Sequence, residues 1–360
     1  MKRNRWIMPE QASSYRGNHH RERTYPPPFP DGWYRIAASG EIKPGEIRHV
    51  QCLGEQIAVF RSQESGRIAA LDAFCPHMGA NLAYGEVKGD RLECPFHGWQ
   101  LDGDGRICQP RLSEDQPFVQ RRWEAIDYYG MILIYHSSQG KPAPYHLPQQ
   151  QAIDEGQLVY RGKYDAGEVE MHIIEFVENS VDFSHFYHIH GTMRLPWTRV
   201  RLPWIRIRHD PSWFLDDTLE HIAYFRNEAT LEIRGRVYES TGALALITFL
   251  GPGSVVKFEF DIPRIGKIMM FQTHTPVEAM KQQVNFRWFA SRGVPGILAS
   301  YVVGNWISQW KEDLDIWKRK IYRKRPLDAD GEGSLLGDMR KWYRQFYPDD
   351  DLLGGNIRGS

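Results

Sequence analysis

Between about Trp33 and His136 the chain alternates short apolar runs with turn residues. Residues 57–60, 68–71 and 131–135 are apolar, and Gly54-Glu55, Ser65-Gly66, Lys88-Gly89-Asp90 and Asp102-Gly103-Asp104-Gly105 break the pattern. This spacing predicts a small antiparallel β domain. Residues 1–31 are polar and run into Tyr25-Pro26-Pro27-Pro28-Phe29-Pro30-Asp31-Gly32-Trp33, which reads as an extended arm. Residues 137–148 are rich in Ser, Gly, Pro and Lys and read as a linker.

The pattern then changes period. Residues 169–185 carry apolar positions at helical intervals, and residues 243–260, 269–271 and 284–289 read as longer strands. A second helix is predicted over about 295–322, with Ile297, Tyr301, Trp306, Trp310, Leu314 and Trp317 on its apolar side. The fold class is α+β, divided into an arm (1–31), a first domain (32–140) and a second (141–360).

Composition narrows the function. Of 360 residues, 45 are Lys or Arg and 45 are Asp or Glu, which gives no footprint for bulk nucleic-acid binding. Lys2, Arg3, Arg5, Arg16, Arg21 and Arg23 make the first 24 residues basic, and they read as solvated. No signal-peptide pattern and no run of about 18 apolar residues is present, so a cytoplasmic protein without a transmembrane segment is expected. Four cysteines do not make a disulfide scaffold. Cys52 and Cys108 have no metal-like spacing and read as small buried residues.

The other two cysteines carry chemistry. Cys75-Pro76-His77 and Cys94-Pro95-Phe96-His97-Gly98-Trp99 each pair a Cys with a His on a predicted loop. A Rieske [2Fe–2S] centre takes two thiolates on one iron and two imidazoles on the other. A structural zinc site uses the same residue types but pairs like with like, Cys with Cys and His with His. Unlike pairing occurs here twice, which favours the Rieske centre.

Residues 178–190 offer a second set, His185, His188 and His190. A non-haem Fe(II) site needs two His and one carboxylate on one face of the metal. Asp313 is the best distant carboxylate, with Glu312 and Asp315 as alternatives. Spacing alone leaves open which two histidines serve, and a plain polar stripe fits as well.

Together these residues resemble the Rieske non-haem iron oxygenase family over most of the chain. Cys75-x-His77 and Cys94-x2-His97 match its cluster ligands, and Asn179-x2-Asp182-x2-His185-x4-His190 matches its iron motif. The resemblance implies a helix-grip-like second domain, and His185, His190 and Asp313 as iron ligands with His188 unused. It implies Asn179 beside the iron, and Asp182 bridging His185 to His97 of a neighbouring subunit in a homotrimer. It further implies electrons from NAD(P)H through a separate ferredoxin or flavin reductase, and O2 as co-substrate. The arm and the Lys341-Trp342-Tyr343-Arg344-Gln345-Phe346-Tyr347-Pro348 segment are similar to the steroid and sterol branch. That branch holds cholesterol 7-desaturases, bacterial sterol C-4 demethylating oxygenases and ketosteroid 9α-hydroxylases.

On this resemblance the expected activity is O2-dependent oxidation of a sterol or steroid, at a C-4 methyl or by C-7 desaturation. The alternative is a small aromatic or other hydrophobic substrate. A steroid needs a long apolar pocket. Trp204, Phe214, Phe225, Phe249, Phe271, Trp288 and Trp306 are candidates to line it, or else to be core.

Overall fold

The computed structural model describes residues 21–108, 118–195, 198, 200–262, 265–327 and 333–348. Ten short strands come first: β1 (Gly32–Ala38), β2 (Ile47–Cys52), β3 (Glu55–Arg61), β4 (Ile68–Asp72), β5 (Glu86–Lys88), β6 (Arg91–Glu93), β7 (Gln100–Asp102), β8 (Arg122–Trp123), β9 (Ala125–Tyr128) and β10 (Met131–His136). They form three small antiparallel sheets, ordered β1-β10-β9, β2-β3-β4-β8 and β5-β6-β7. The alternating runs of the sequence are these strands.

Eight further strands build one antiparallel sheet in the order β11-β18-β17-β16-β15-β14-β13-β12. They are β11 (Leu158–Val169), β12 (Thr192–Arg194), β13 (Arg201–Leu215), β14 (Ile222–Ile233), β15 (Arg236–Leu250), β16 (Val255–Ile262), β17 (Gly266–Glu278) and β18 (Lys281–Ser291). Helices α1 (Gln151–Asp154), α2 (Ile174–Asn179), α3 (Gly296–Trp317) and α4 (Gly333–Tyr343) complete the described elements, with a π-turn at Phe186–His190 and three short 3-10 turns.

The large sheet is covered on both faces. On one, α3 packs Trp306 against Phe258 at 4.7 Å between ring centroids and Trp310 against Phe286 at 5.2 Å. On the other, Met269, Phe271 and Phe289 pack with Trp33, Leu133 and Tyr135 of β1 and β10. Apart from Trp306, which is part-buried, each of these side chains contributes about 1.5–3 kcal/mol. Leu53 N–H donates to Pro276 C=O at 2.8 Å, and Thr275 Oγ1 donates to Arg35 C=O at 2.6 Å, stitching the first unit to the sheet.

Some expectations need correction. The helix expected over 169–185 is only α2; Val169 instead ends β11, opposite Gln282 of β18. Val169, Ile173, Val177 and Val181 mimic a helical stripe, but pairing along β18 overrides local periodicity. The long helix is present, yet its buried stripe is Ala299, Val303, Ile307, Trp310, Leu314 and Trp317, while Ile297 is 85% exposed and Tyr301 42%. Of the basic residues expected to be solvated, Arg21 is docked, donating to Trp317 C=O at 2.7 Å and Lys320 C=O at 3.0 Å, whereas Arg23 is exposed. Further along, Asp31 N–H donates to Phe346 C=O at 2.7 Å and Tyr347 Oη to Pro27 C=O at 2.8 Å. Lys2, Arg3, Arg5 and Arg16 lie outside the described residues. The 137–148 stretch has no regular element but buries Tyr145 and Leu147, and Tyr145 stacks on His221 at 4.0 Å. Cys52 is buried and Cys108 half-buried. No described helix is long and apolar enough to cross a membrane.

Candidate metal centres

The first centre sits on two matching loops. Cys75 N–H donates to Ala80 C=O at 2.8 Å and Gly79 N–H returns to Cys75 C=O at 2.8 Å. The second loop repeats this, with Cys94 N–H to Trp99 C=O at 2.7 Å and Gly98 N–H to Cys94 C=O at 3.1 Å. Both loops close through a glycine with positive φ, +72° at Gly79 and +69° at Gly98, where a side chain would be strained. Cys75 and Cys94 are buried, while His77 and His97 are exposed. Burial, with Cys94 next to it, raises the Cys75 thiol above its usual range. The imidazoles lie 4.7 Å apart and His77 stacks on Trp99 at 4.4 Å. Buried thiols beneath exposed imidazoles form a two-tier donor set, as a two-iron cluster needs. Among the described residues these four do not converge to within 4.8 Å as ligands of one ion would. The donor set thus fits the cluster better than zinc.

The second centre brings together His185, His190 and Asp313, whose ligand atoms all lie within 4.8 Å and whose side chains are buried. The histidines stand five positions apart, and the π-turn, with its i→i+5 hydrogen bonds, puts them on one side. The same turn leaves His188 exposed. Asp313 arrives from the buried stripe of α3, and its Oδ1 lies 2.9 Å from His190 Nε2. The alternatives are placed otherwise: Glu312 lies 3.7 Å from His190 Nδ1 and pairs with Arg201 at 2.8 Å, while Asp315 is exposed.

Tautomers follow from the neighbours. His185 Nδ1 contacts Asp182 C=O, which can only accept, so Nδ1 carries the proton. Nε2 then offers its lone pair to the site, where Asn179 Nδ2 approaches at 3.1 Å. Asn179 Nδ2 also reaches Asp313 Oδ2 at 3.3 Å. Burial lowers the His185 pKa and so favours the neutral ring a metal requires; Asp313 opposes this. Two imidazoles and one carboxylate fit Fe(II). Asp182 shows 54% of its side chain to solvent at the edge of this group.

Two ion pairs made by buried carboxylates hold α2, which ends in Asn179. Glu175 pairs with Lys320 at 2.6 Å and accepts from Tyr25 Oη, and Glu178 pairs with Arg340 at 2.6 Å. Sequence reasoning missed this network; its signal was the pair of acids Glu175 and Glu178 inside an apolar run. It also missed His209, whose imidazole is held down to about 4 by burial, with the His190 backbone and Asn227 opposing.

A cavity of about 1050 Å³ opens beside Asn179, Asp182, His185 and Asp313. Ile316, Trp317 and Leu336 line it, with a rim of Arg323, Lys324 and Arg325. None of the seven candidate aromatics lines it. Phe225, Phe249, Phe271 and Trp288 are core, Trp204 and Phe214 are exposed, and Trp306 is part-buried against Gln272 at 3.0 Å. Aromatic residue type could not distinguish these fates; strand register did.

Residues 32–119 match the Rieske [2Fe-2S] domain family, and residues 134–347 match the 3-Ketosteroid 9alpha-hydroxylase C-terminal domain family. Cholesterol 7-desaturase nvd 1 of Ciona intestinalis is 33% identical over 341 residues, covering 89% of this chain and 69% of that protein. The 3-ketosteroid-9-alpha-monooxygenase oxygenase component of Rhodococcus rhodochrous is 28% identical over 334 residues, covering 91% and 86%. Among solved structures, NdmA of Pseudomonas putida CBB5 with caffeine superposes with a TM-score of 0.62 at 20% identity, covering 87% of this chain and 89% of that one. At that identity the likeness speaks for the fold alone. With two donor sets of this chemistry and both domain families matched in order, the chain belongs to the Rieske non-haem iron oxygenases, oxidoreductases that use a [2Fe–2S] cluster and a mononuclear iron.

Proposed function

We propose that this chain is the oxygenase component of a sterol- or steroid-oxidising system, acting at a C-4 methyl group or by C-7 desaturation. The observation that carries the reading is the buried His185, His190 and Asp313 triad in a chain that also presents His77 and His97 at a surface. Relatives named for cholesterol and 3-ketosteroid chemistry support the substrate class.

In this reading Cys75, His77, Cys94 and His97 hold the cluster, and His185, His190 and Asp313 hold the iron. When bound, these groups supply single electrons and O2 activation, respectively. The chain's own residues do the rest. The Asp182 carbonyl fixes the His185 tautomer, and Asn179 orients the Asp313 carboxylate. The exposed Asp182 carboxylate accepts from Ser184 Oγ and His185 N–H at Oδ1 and has capacity at Oδ2 to accept an imidazole N–H from His97 of a second copy, in keeping with a head-to-tail homotrimer. A separate ferredoxin or flavin reductase would feed the cluster from NAD(P)H, as the words "oxygenase component" imply for the Rhodococcus relative. The domain boundary falls near residue 140, between an arm (1–31) with a cluster domain (32–140) and an iron domain (141–360). Four free cysteines suit a reducing, cytoplasmic setting.

The test is to add 4,4-dimethyl, 4-methyl and 4-demethyl sterols anaerobically to the iron-loaded protein and follow the Fe(II) spectrum. A change with at least one sterol is expected. No change with any sterol, but a change with small aromatics, would overturn the sterol assignment.

A further inference from the structure

Part of the inner face of the large sheet, beside the iron donors, carries small side chains. Residues paired across antiparallel strands point to the same face, and residues two apart share it. The register therefore sets His209 opposite Ala229, Ala229 opposite Ala243, and Asn227 opposite Ala245 on one face, with Phe260 opposite Ala245 on the next strand. That face is the inner one, because Phe225 beside Asn227 stacks on Phe186 of the π-turn at 5.4 Å. Three alanines lower the floor here. Ala229, Ala243 and Ala245 stay part-exposed, while Phe225, Ile247 and Phe249 nearby are buried. Val302 and Trp306 of α3 are likewise only partly buried against this core.

At the edge of this apolar trough lies a polar pair. His209 is 9% exposed and Asn227 7%. The Asn227 side-chain nitrogen lies 3.0 Å from His209 Nδ1. His209 Nε2 and Asn227 Oδ1 are buried without a hydrogen-bond partner. The His190 backbone is a further polar neighbour of the ring. Phe186 touches both histidines, with ring centroids 5.1 Å from His209 and 5.8 Å from His190.

The chemistry of the two spare atoms is fixed whichever way the pair is oriented. A neutral imidazole and a primary amide each offer both a donor and an acceptor. If the amide donates to Nδ1, an N–H at Nε2 and an acceptor at Oδ1 remain. If the amide is flipped and accepts from Nδ1–H, an acceptor at Nε2 and an amide N–H remain. One donor and one acceptor are left in both cases. An alcohol satisfies both; a ketone satisfies only the donor.

We propose that this trough takes the ring end of the substrate and that His209 and Asn227 together hydrogen-bond a hydroxyl group on it, which selects a sterol alcohol over the corresponding ketone. The proposal rests on the sterol reading above and sharpens it. Anchoring the hydroxyl one phenyl ring away from His190 also keeps the oxidised carbon within a ring or two of that hydroxyl.

The test uses the full-length holoenzyme and two probes that differ only at one carbon, 5α-cholestan-3β-ol and 5α-cholestan-3-one. Dissociation constants are measured for the wild type and for Asn227→Leu, which keeps the volume and removes the amide. The wild type is expected to bind the alcohol about tenfold or more tightly than the ketone, because the ketone leaves a buried acceptor unpaired. Asn227→Leu is expected to bring the ratio near one by weakening the alcohol, with ketone binding little changed. A collapsed pocket would weaken both probes together, so an unchanged ratio in Asn227→Leu overturns the anchor. A wild type that binds both probes equally, or prefers the ketone, overturns it as well while leaving the sterol reading standing. Binding of neither probe overturns both.

Discussion

The two donor sets are built in opposite ways. The cluster donors fall on two neighbouring loops, and backbone hydrogen bonds shape each loop by itself. The iron donors come from elements 123 residues apart and are held by side chains. The first set exposes its imidazoles; the second buries all three ligands. A centre that must pass electrons across a surface needs an exposed edge, whereas a centre that handles O2 beside an apolar substrate gains from excluding water. The difference teaches where each site is vulnerable: the loops to backbone changes, the triad to changes in distant side chains.

The largest effect is expected at the point where the two regions would meet. Asp182→Asn keeps the backbone carbonyl that orients His185 and removes only the carboxylate charge. Turnover should fall by about 10–100-fold, the scale seen when a partner behind a metal ligand is lost. Iron content should stay unchanged, and full activity in this variant would remove Asp182 from the path between the centres.

Next comes the side-chain scaffold of the iron region. Arg340→Met strands the buried Glu178 without its partner at 2.6 Å. Calorimetry should report a loss of about 3 kcal/mol. Activity should drop with it, because Glu178 adjoins Asn179, while the cluster's visible spectrum should be unaffected.

An effect of similar size, a few kcal/mol, should appear with pH. Burial lowers His172 to about 3, and His209 and His274 to about 4. A depressed histidine gives stability that is fully present above its unfolded pKa near 6.5 and lost as pH falls towards the folded value. Each contributes a slope of about 1.4 kcal/mol per pH unit across that window. Glu178, whose pKa burial raises, acts in the opposite direction as one group against three. All four lie in the iron region, so its unfolding should move to lower temperature between pH 6.5 and pH 5. A stability that is flat over this range would contradict the burial of these rings.

The smallest change belongs to the loops. A methyl group at Gly98 meets nothing within 4 Å, so Gly98→Ala carries only the strain of φ +69°. About 1–2 kcal/mol of local stability should be lost, seen as faster cluster loss on heating with mononuclear iron retained.

The same contrast explains what the sequence made legible. Cys75, His77, Cys94 and His97 stand close together in the chain, so their pairing could be read directly. His185 and His190 could not be separated from His188 by helical spacing, because the turn that carries them is π rather than α. Asp313 could be named as a candidate carboxylate, but nothing local links it to residue 190, and only the family resemblance implied it as a ligand. Strands β13 and β14 went unread although Ile205, Ile207 and His209 alternate with Trp204, Arg206 and Arg208. Arg206 and Arg208 are exposed, while His209 is buried. His209 and Asn227 gained meaning only once register set them side by side. The aromatic candidates failed for the same reason: residue type does not say which face of a sheet a ring occupies.

The central claim is that one chain carries two separate iron centres, and His185→Ala tests it most directly. Iron per chain and the cluster's visible and electron paramagnetic resonance spectra would be measured on the purified variant. Three irons per chain are expected in the wild type and two in His185→Ala, with an intact cluster spectrum and no turnover in the variant. Loss of the cluster spectrum in that variant, or an unchanged iron count, would contradict it.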